Sequence, residues 1–341
     1  MRNINNTNIF NNRLSLFFMG VILFALSACS SSGDENKGIS EMGAVNTAAS
    51  TIVDTNSDEL IDSSTPQDSA DGNSSEASSS EDTTAIASSP TRTPAPIDLN
   101  AHPIVPEVSQ HAIDIYQQGI AMGNDPKRFS KVGDCQNIST YFLAMFEKDS
   151  RYFTLGEYGY LQDTINWYRG SFSRESLAVN GGLNVARVLS PFHADAQYCE
   201  PNENSLECEI RLYNPSITIV SLEENWGGKT AEDYENFLRT IIDTLISKGV
   251  LPILATKADN YEGDNSINLT IIKLAVEYEL PLWNFWLAVQ PLPNHGLRED
   301  GFYLTLGDPH FDRPENMQAS WPWRNLTALQ VLDAVRIAVT R

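Results

Sequence analysis

From residue 129 onward, short apolar runs alternate with longer segments of helical period. Phe129-Ser-Lys-Val-Gly-Asp134 reads as a strand that ends in a turn, and Ile138 to Phe146 reads as the helix behind it. Ser176-Leu-Ala-Val-Asn180 is a second short strand, and Gly181-Gly182 turns it into a helix over Leu183 to Leu189. Ser216-Ile-Thr-Ile-Val-Ser-Leu222 is a β-branched strand. Thr230 then caps a helix whose apolar residues Tyr234, Phe237, Leu238, Ile241, Ile242 and Leu245 recur at i, i+3, i+4 and i+7. Gly249 stands where a C-terminal stop belongs. Val250 to Ala255 is the next buried strand, Ile267 to Tyr278 a helix, Leu280 to Trp286 a strand, and Asn325 to Val339 a terminal helix. Strands alternating with helices predict a parallel sheet covered on both faces, here a five-stranded three-layer α/β/α sandwich of flavodoxin-like type.

The first hundred residues are of another kind. Arg2 and Arg13 precede an apolar run from Leu14 to Ala28, too short for a comfortable membrane span. It stops at Leu26-Ser-Ala-Cys29, which resembles the lipobox of bacterial lipoproteins. That resemblance implies a signal peptide over 1–28, acylation of Cys29, and an exported chain held at the cell membrane, on its outer side, by a lipid anchor. Residues 29–100 are rich in Ser, Thr, Asp and Glu, with no large apolar cluster. Such a stretch cannot bury enough apolar surface to offset its ordering entropy, so it reads as a stalk. The remaining residues, 101–341, suffice for one α/β domain.

The stalk carries much of the formal net charge of −21, so that charge says little about the domain's ligand. It argues against nucleic acid, whose binders carry basic patches. A monomer without a cofactor is expected. Cys199 and Cys208 bracket a loop-like stretch in an exported chain, which predicts a disulfide. Cys135 is then left over at the strand-to-helix turn, where a helix N-terminus would favour a thiolate. A packed cysteine beside a turn glycine is the plainer reading. No set of His, Asp and Glu has metal-ligand spacing, and His102, His111 and His193 read as structural or solvated.

Four segments together resemble the SGNH, or GDSL-type, hydrolases: Gly133-Asp134-Cys135, Asn180-Gly-Gly182, Glu223-Glu224-Asn225-Trp226 and Asp300-Gly-Phe-Tyr303. In that family a Gly-Asp-Ser turn supplies the nucleophile, a glycine and an asparagine complete an oxyanion hole, and Asp-x-x-His supplies a base and its orienter. The resemblance implies catalytic positions at Cys135, Gly182, Asn225, Asp300 and Tyr303. It also implies an ester hydrolase of carbohydrate or lipid esters. The departures are as informative. Cys135 stands for serine, Glu223 for glycine, Trp226 for aspartate and Tyr303 for histidine. A tyrosine with an ordinary pKa near 10 cannot act as that base.

His310, after Asp308-Pro309, is the first candidate to replace the base, and His295 the second. Asp134, Glu223, Glu224 and Trp226 are candidate ligand contacts. Trp226 sits either at the mouth of a cleft, able to stack on a sugar face or an acyl chain, or in the space left by the altered motif. The chain is therefore expected to be a weak or inactive hydrolase. The alternatives are a degenerate module that binds a glycan or other ligand, and a structural surface protein.

Overall fold

The computed structural model describes residues 97–222, 226 and 229–341. The signal segment, Cys29, most of the stalk, and Glu223, Glu224 and Asn225 lie outside the described residues. The elements in chain order are α1 (Gln110–Met122), β1 (Asp125–Gly133), α2 (Gln162–Trp167), α3 (Ser205–Tyr213), β2 (Pro215–Ser221), α4 (Ala231–Ser247), β3 (Leu251–Ala255), α5 (Ser266–Glu277), β4 (Leu282–Trp283), α6 (Phe285–Val289) and α7 (Ser320–Val339). All strand pairs are parallel and the sheet order is β1-β2-β3-β4. β2 and β3 are buried along their whole length, as strands covered on both faces must be. Packing of α4 on α5, and of α1 and α2 on α7, completes the helical layers. No helix among the described residues is long and apolar enough to cross a membrane.

The periodic helices form where expected. Thr230 Oγ1 accepts the Asp233 amide 3.0 Å away and caps α4, whose face of Tyr234, Leu238, Ile241, Ile242 and Leu245 is buried. The chain reverses at Gly249 with φ +66°, and Gly119 of α1 lies directly against it. A Cβ on Gly119 would stand 1.8 Å from Gly249 O.

Four expectations need correction. The sheet has four strands, because Ser176–Asn180 contributes a single parallel bridge, Gly133 to Val179. Its amides are drawn elsewhere: Leu177 N–H to Glu209 Oε2 at 2.9 Å, and Ala178 N–H to Ser176 Oγ at 3.1 Å. Ile138–Phe146 is not a regular helix. Leu143 takes φ +71° and its amide donates to Asn325 Oδ1 of α7 at 2.7 Å, so a long-range bond displaces the local ladder. Leu183–Leu189 holds only a 3₁₀ turn, Arg187–Leu189. The last strand stops at Trp283 because Asn284 accepts the Leu287 amide and starts α6.

The bridge at Val179 also fixes the topology. The chain leaves β1 toward one side, to Val179, and then returns to its other side with β2. The order of connection reverses at β1, so the switch point, where open α/β sheets form their ligand crevice, lies beyond the carboxyl ends of β1 and β2.

Candidate functional site at the carboxyl end of the sheet

The turn after β1 is built by two polar side chains. The Asp134 carboxylate is buried and accepts the Gln136 amide at 3.1 Å, capping the 3₁₀ turn Cys135–Asn137. The Asn137 amide side chain lies directly on Gly133, with Nδ2 2.1 Å from where a Cβ would stand. Only glycine leaves room for it. From there Asn137 Nδ2 donates to Ser221 O at 2.8 Å, tying the β1 turn to the end of β2.

Under this junction lies Arg324 of α7, with no exposed surface. Its Nη2 donates to Ser221 Oγ at 2.9 Å, and its guanidinium faces the rings of Phe142, Trp283 and Phe285 at 4.9–5.1 Å. Desolvated cation–π contact on three rings offsets part of the cost of burying the charge. One buried cation thus joins β2, β4 and α6.

The hydrolase-type positions are occupied by bonds within the protein. Cys135 is half-buried and opens the 3₁₀ turn Cys135–Asn137. The turn behind it is three residues of 3₁₀ helix rather than the regular helix expected to favour a thiolate. Gly182 N–H donates to Asn180 Oδ1 at 3.0 Å. Asp300 Oδ1 accepts the amides of Phe302 and Tyr303 at 2.9 and 2.8 Å, closing the turn of a short hairpin that is bridged at Leu297 and Leu304.

The candidate histidines lie apart from Cys135. His310 is buried, pairs with Thr154 Oγ1 at 3.1 Å and bridges Thr154 through the backbone. No contact joins it to Cys135. His295 is exposed and bonds Gln290 O at 3.1 Å. Trp226 is 5% exposed; its indole donates to Thr230 O at 2.9 Å, and its ring meets Tyr234 and Phe237 edge to face. It fills space against α4, with Lys229 Nζ 4.4 Å from the ring centre.

Several buried polar groups carry weight that the sequence reading did not give them. Glu209 is 1% exposed and accepts from Ser130, Arg174 and the Leu177 amide. Lys131 of β1 is equally buried and donates to Ser139 Oγ at 2.6 Å. Burial pushes its pKa down to about 8. Lys257, just past β3, bonds Asp259 Oδ1 at 2.8 Å and Glu262 Oε2 at 2.5 Å. The available signals were charged residues inside apolar runs: Lys131 in Phe129-Ser-Lys-Val132, and Arg324 on the i, i+4, i+8 stripe with Ala328 and Leu332.

The Cys199–Cys208 disulfide is present and ties the 199–204 loop to α3. Cys208 lies inside α3 rather than in the loop, because Asn204 and Glu207 form a capping box and start the helix early. The side chains of Cys199, Glu203 and Cys208 converge within 4.8 Å, but the disulfide takes both sulfurs and Arg211 takes the carboxylate.

No protein-family model matches the chain, and no curated protein matches it. Among solved structures, the chain is similar to the crystal structure of TesA at 16% identity, with a TM-score of 0.36, covering 59% of this chain and 99% of that one. It is also similar to the crystal structure of a GDSL-like lipase from Bacteroides thetaiotaomicron VPI-5482, at 13% identity and a TM-score of 0.36, over 67% of this chain and 100% of that one.

Proposed function

We propose that the chain is a lipid-anchored surface lipoprotein whose domain is a GDSL-type hydrolase scaffold with weak or lost activity on simple esters. The motif order supports the scaffold: Gly133-Asp134-Cys135 follows β1, and Asn180-Gly-Gly182 follows the bridge beside it, both at the switch point. The observation that carries the loss of activity is at Asp300 and Tyr303. The histidine position holds a tyrosine, and the carboxylate that would orient a base accepts two backbone amides of its own turn. Acyl transfer needs a nucleophile, a base for its proton and donors for the oxyanion. Here the Gly182 amide already serves Asn180.

p-Nitrophenyl acetate hydrolysis tests this reading. The natural protein is expected to stay at the buffer rate. Cys135→Ser combined with Tyr303→His is expected to raise the rate by more than the two single changes together on a free-energy scale, because nucleophile and base act as a unit. Efficient turnover by the natural protein would defeat the reading and direct attention to His310→Ala.

A further inference from the structure

The loop between Val179 and α3 stands at the carboxyl end of the sheet, because Val179 bridges the last residue of β1 and α3 returns from Ser205 to the start of β2. At its tip Phe192 is 97% exposed, more than any other large apolar side chain among the described residues. Pro191, His193 and residues 195–198 are exposed as well, so the tip protrudes. It is held firmly all the same. His193 N–H donates to Ser190 O at 3.1 Å and Ala194 N–H to Pro191 O at 3.2 Å, closing a 3₁₀ turn that Pro191 starts. The amides of Tyr198 and Cys199 donate to Asp195 O at 3.0 and 2.8 Å. Ser205 Oγ donates to His193 O at 3.2 Å, Arg211 Nη2 to Tyr198 O at 3.3 Å, and the Cys199–Cys208 disulfide ties the end of the loop to α3. A protruding ring on a turn that is already ordered loses little entropy when something covers it.

Charge and tether bear on what covers it. Residues 97–341 carry 32 carboxylate side chains against 19 lysines and arginines, yet residues 176–199 carry one of each, Asp195 and Arg187. The loop is thus a neutral protrusion with an aromatic tip on an acidic domain. It carries no charge to recruit a charged partner, and it meets an apolar phase without desolvating an ion at its tip. Tyr198, 53% exposed, gives the same loop a second ring with a polar end, the kind of side chain that sits at lipid–water interfaces. The chain also enters the domain at this end of the sheet. Residues 99–104 pack at the carboxyl end of β4, where Asn284 Nδ2 donates to Leu99 O and His102 O at 2.8 Å. A stalk as long as residues 29–100 keeps the domain within roughly 50 Å of a lipidated Cys29. A docking contact then forms at a high effective concentration, and a single knob suffices.

We propose that the Phe192 loop docks the domain on a lipid surface of no net charge, with the Phe192 ring among the acyl chains and Tyr198 at the level of the headgroups. The carboxyl end of the sheet, with its crevice, then faces the bilayer. The inference rests on the lipid anchor of the proposed function for its tether, and adds to it the face of the domain that meets the membrane.

The test uses the full-length lipidated protein in phosphatidylcholine vesicles, with and without brominated acyl chains, which quench an indole inserted among them. Phe192→Trp places one reporter on the loop. Val276→Trp places the other near the end of α5, which leads into the start of β4 at the opposite end of the sheet. Both positions are exposed, so both variants should keep the natural melting temperature, and the signal of the six natural tryptophans is subtracted. The Phe192→Trp indole is expected to lose about half its emission to the brominated chains, and the Val276→Trp indole none. Stronger quenching in anionic phosphatidylglycerol vesicles would overturn the surface of no net charge. Equal quenching at both sites, or none at either on vesicles that carry the protein, would overturn the docking and leave the anchor standing. An emission shift that appears on concentrating the Phe192→Trp protein without vesicles would assign the knob to a second copy of the chain instead. Quenching at Phe192→Trp in a protein that still carries residues 1–28 would defeat the lipid anchor alone. A protein that does not float with the vesicles would defeat both.

Discussion

At the scale of single residues, Lys131 is the most exacting feature of the fold. It is a cation inside the sheet, with Ser139 Oγ and Phe172 O as its hydrogen-bond acceptors and no carboxylate in salt-bridge contact. Desolvation is the main cause of its lowered pKa; Glu175 and Glu147 oppose the shift and Arg174 adds to it. In the unfolded chain a lysine keeps its proton to about pH 10.4. In the folded protein Lys131 releases it near pH 8. Between those values the unfolded state binds more protons, so stability rises with pH. The penalty is fully present below pH 8 and is relieved as the pH climbs, by about 3 kcal/mol across the window. Lys131→Met removes it. Urea unfolding at pH 7, 8.5 and 10 should find the Met variant the more stable at pH 7, with the difference shrinking toward pH 10. A difference that does not change with pH would mean that the lysine is already neutral at pH 7 or is solvated. The charge at 131 was legible as an oddity in an apolar run. Its partners, eight and forty-one residues away, were not.

Elements were legible where one local signal was not contested. The face of α4, its Thr230 cap and its stop at Gly249 follow from period and propensity alone, and nothing distant competes for those amides. Ser176–Asn180 has the apolar content of a strand, yet Glu209 and Ser176 take the amides that a ladder needs. The helix expected over 138–146 loses to Asn325, 182 residues away. Such bonds have no local signature. Helix packing adds a constraint that the sequence shows only as a glycine. Gly119 lies in the middle of α1, where alanine is favoured by about 1 kcal/mol. Its neighbour is the Gly249 backbone, which cannot move without breaking the turn between α4 and β3. Gly119→Ala should therefore destabilise the protein by about 2 kcal/mol despite the better helix former. Gln118→Ala, on the exposed side of the same helix, should be nearly neutral. Thermal melts of the two variants decide it: a Gly119→Ala protein that melts at or above the natural temperature would show that α1 can shift away.

At the scale of the whole molecule, the candidate site and the entry of the chain lie at the same end of the sheet. Asn284, at the carboxyl end of β4, donates from Nδ2 to Leu99 O and His102 O at 2.8 Å, and its amide donates to Ile104 O at 3.3 Å. Residues 99–104 thus pack at the carboxyl end of β4. If Cys29 is the acylated N-terminus, the lipid supplies a stable hydrophobic attachment, and no helix among the described residues is long and apolar enough to span a bilayer. Replacing Cys29 with serine should then move the mature protein from the membrane fraction to the soluble one without changing its melting temperature. Membrane retention of Cys29→Ser with the apolar segment still attached would show that residues 14–28 act as an anchor themselves. A soluble protein whose melting temperature falls would show that Cys29 also supports the fold.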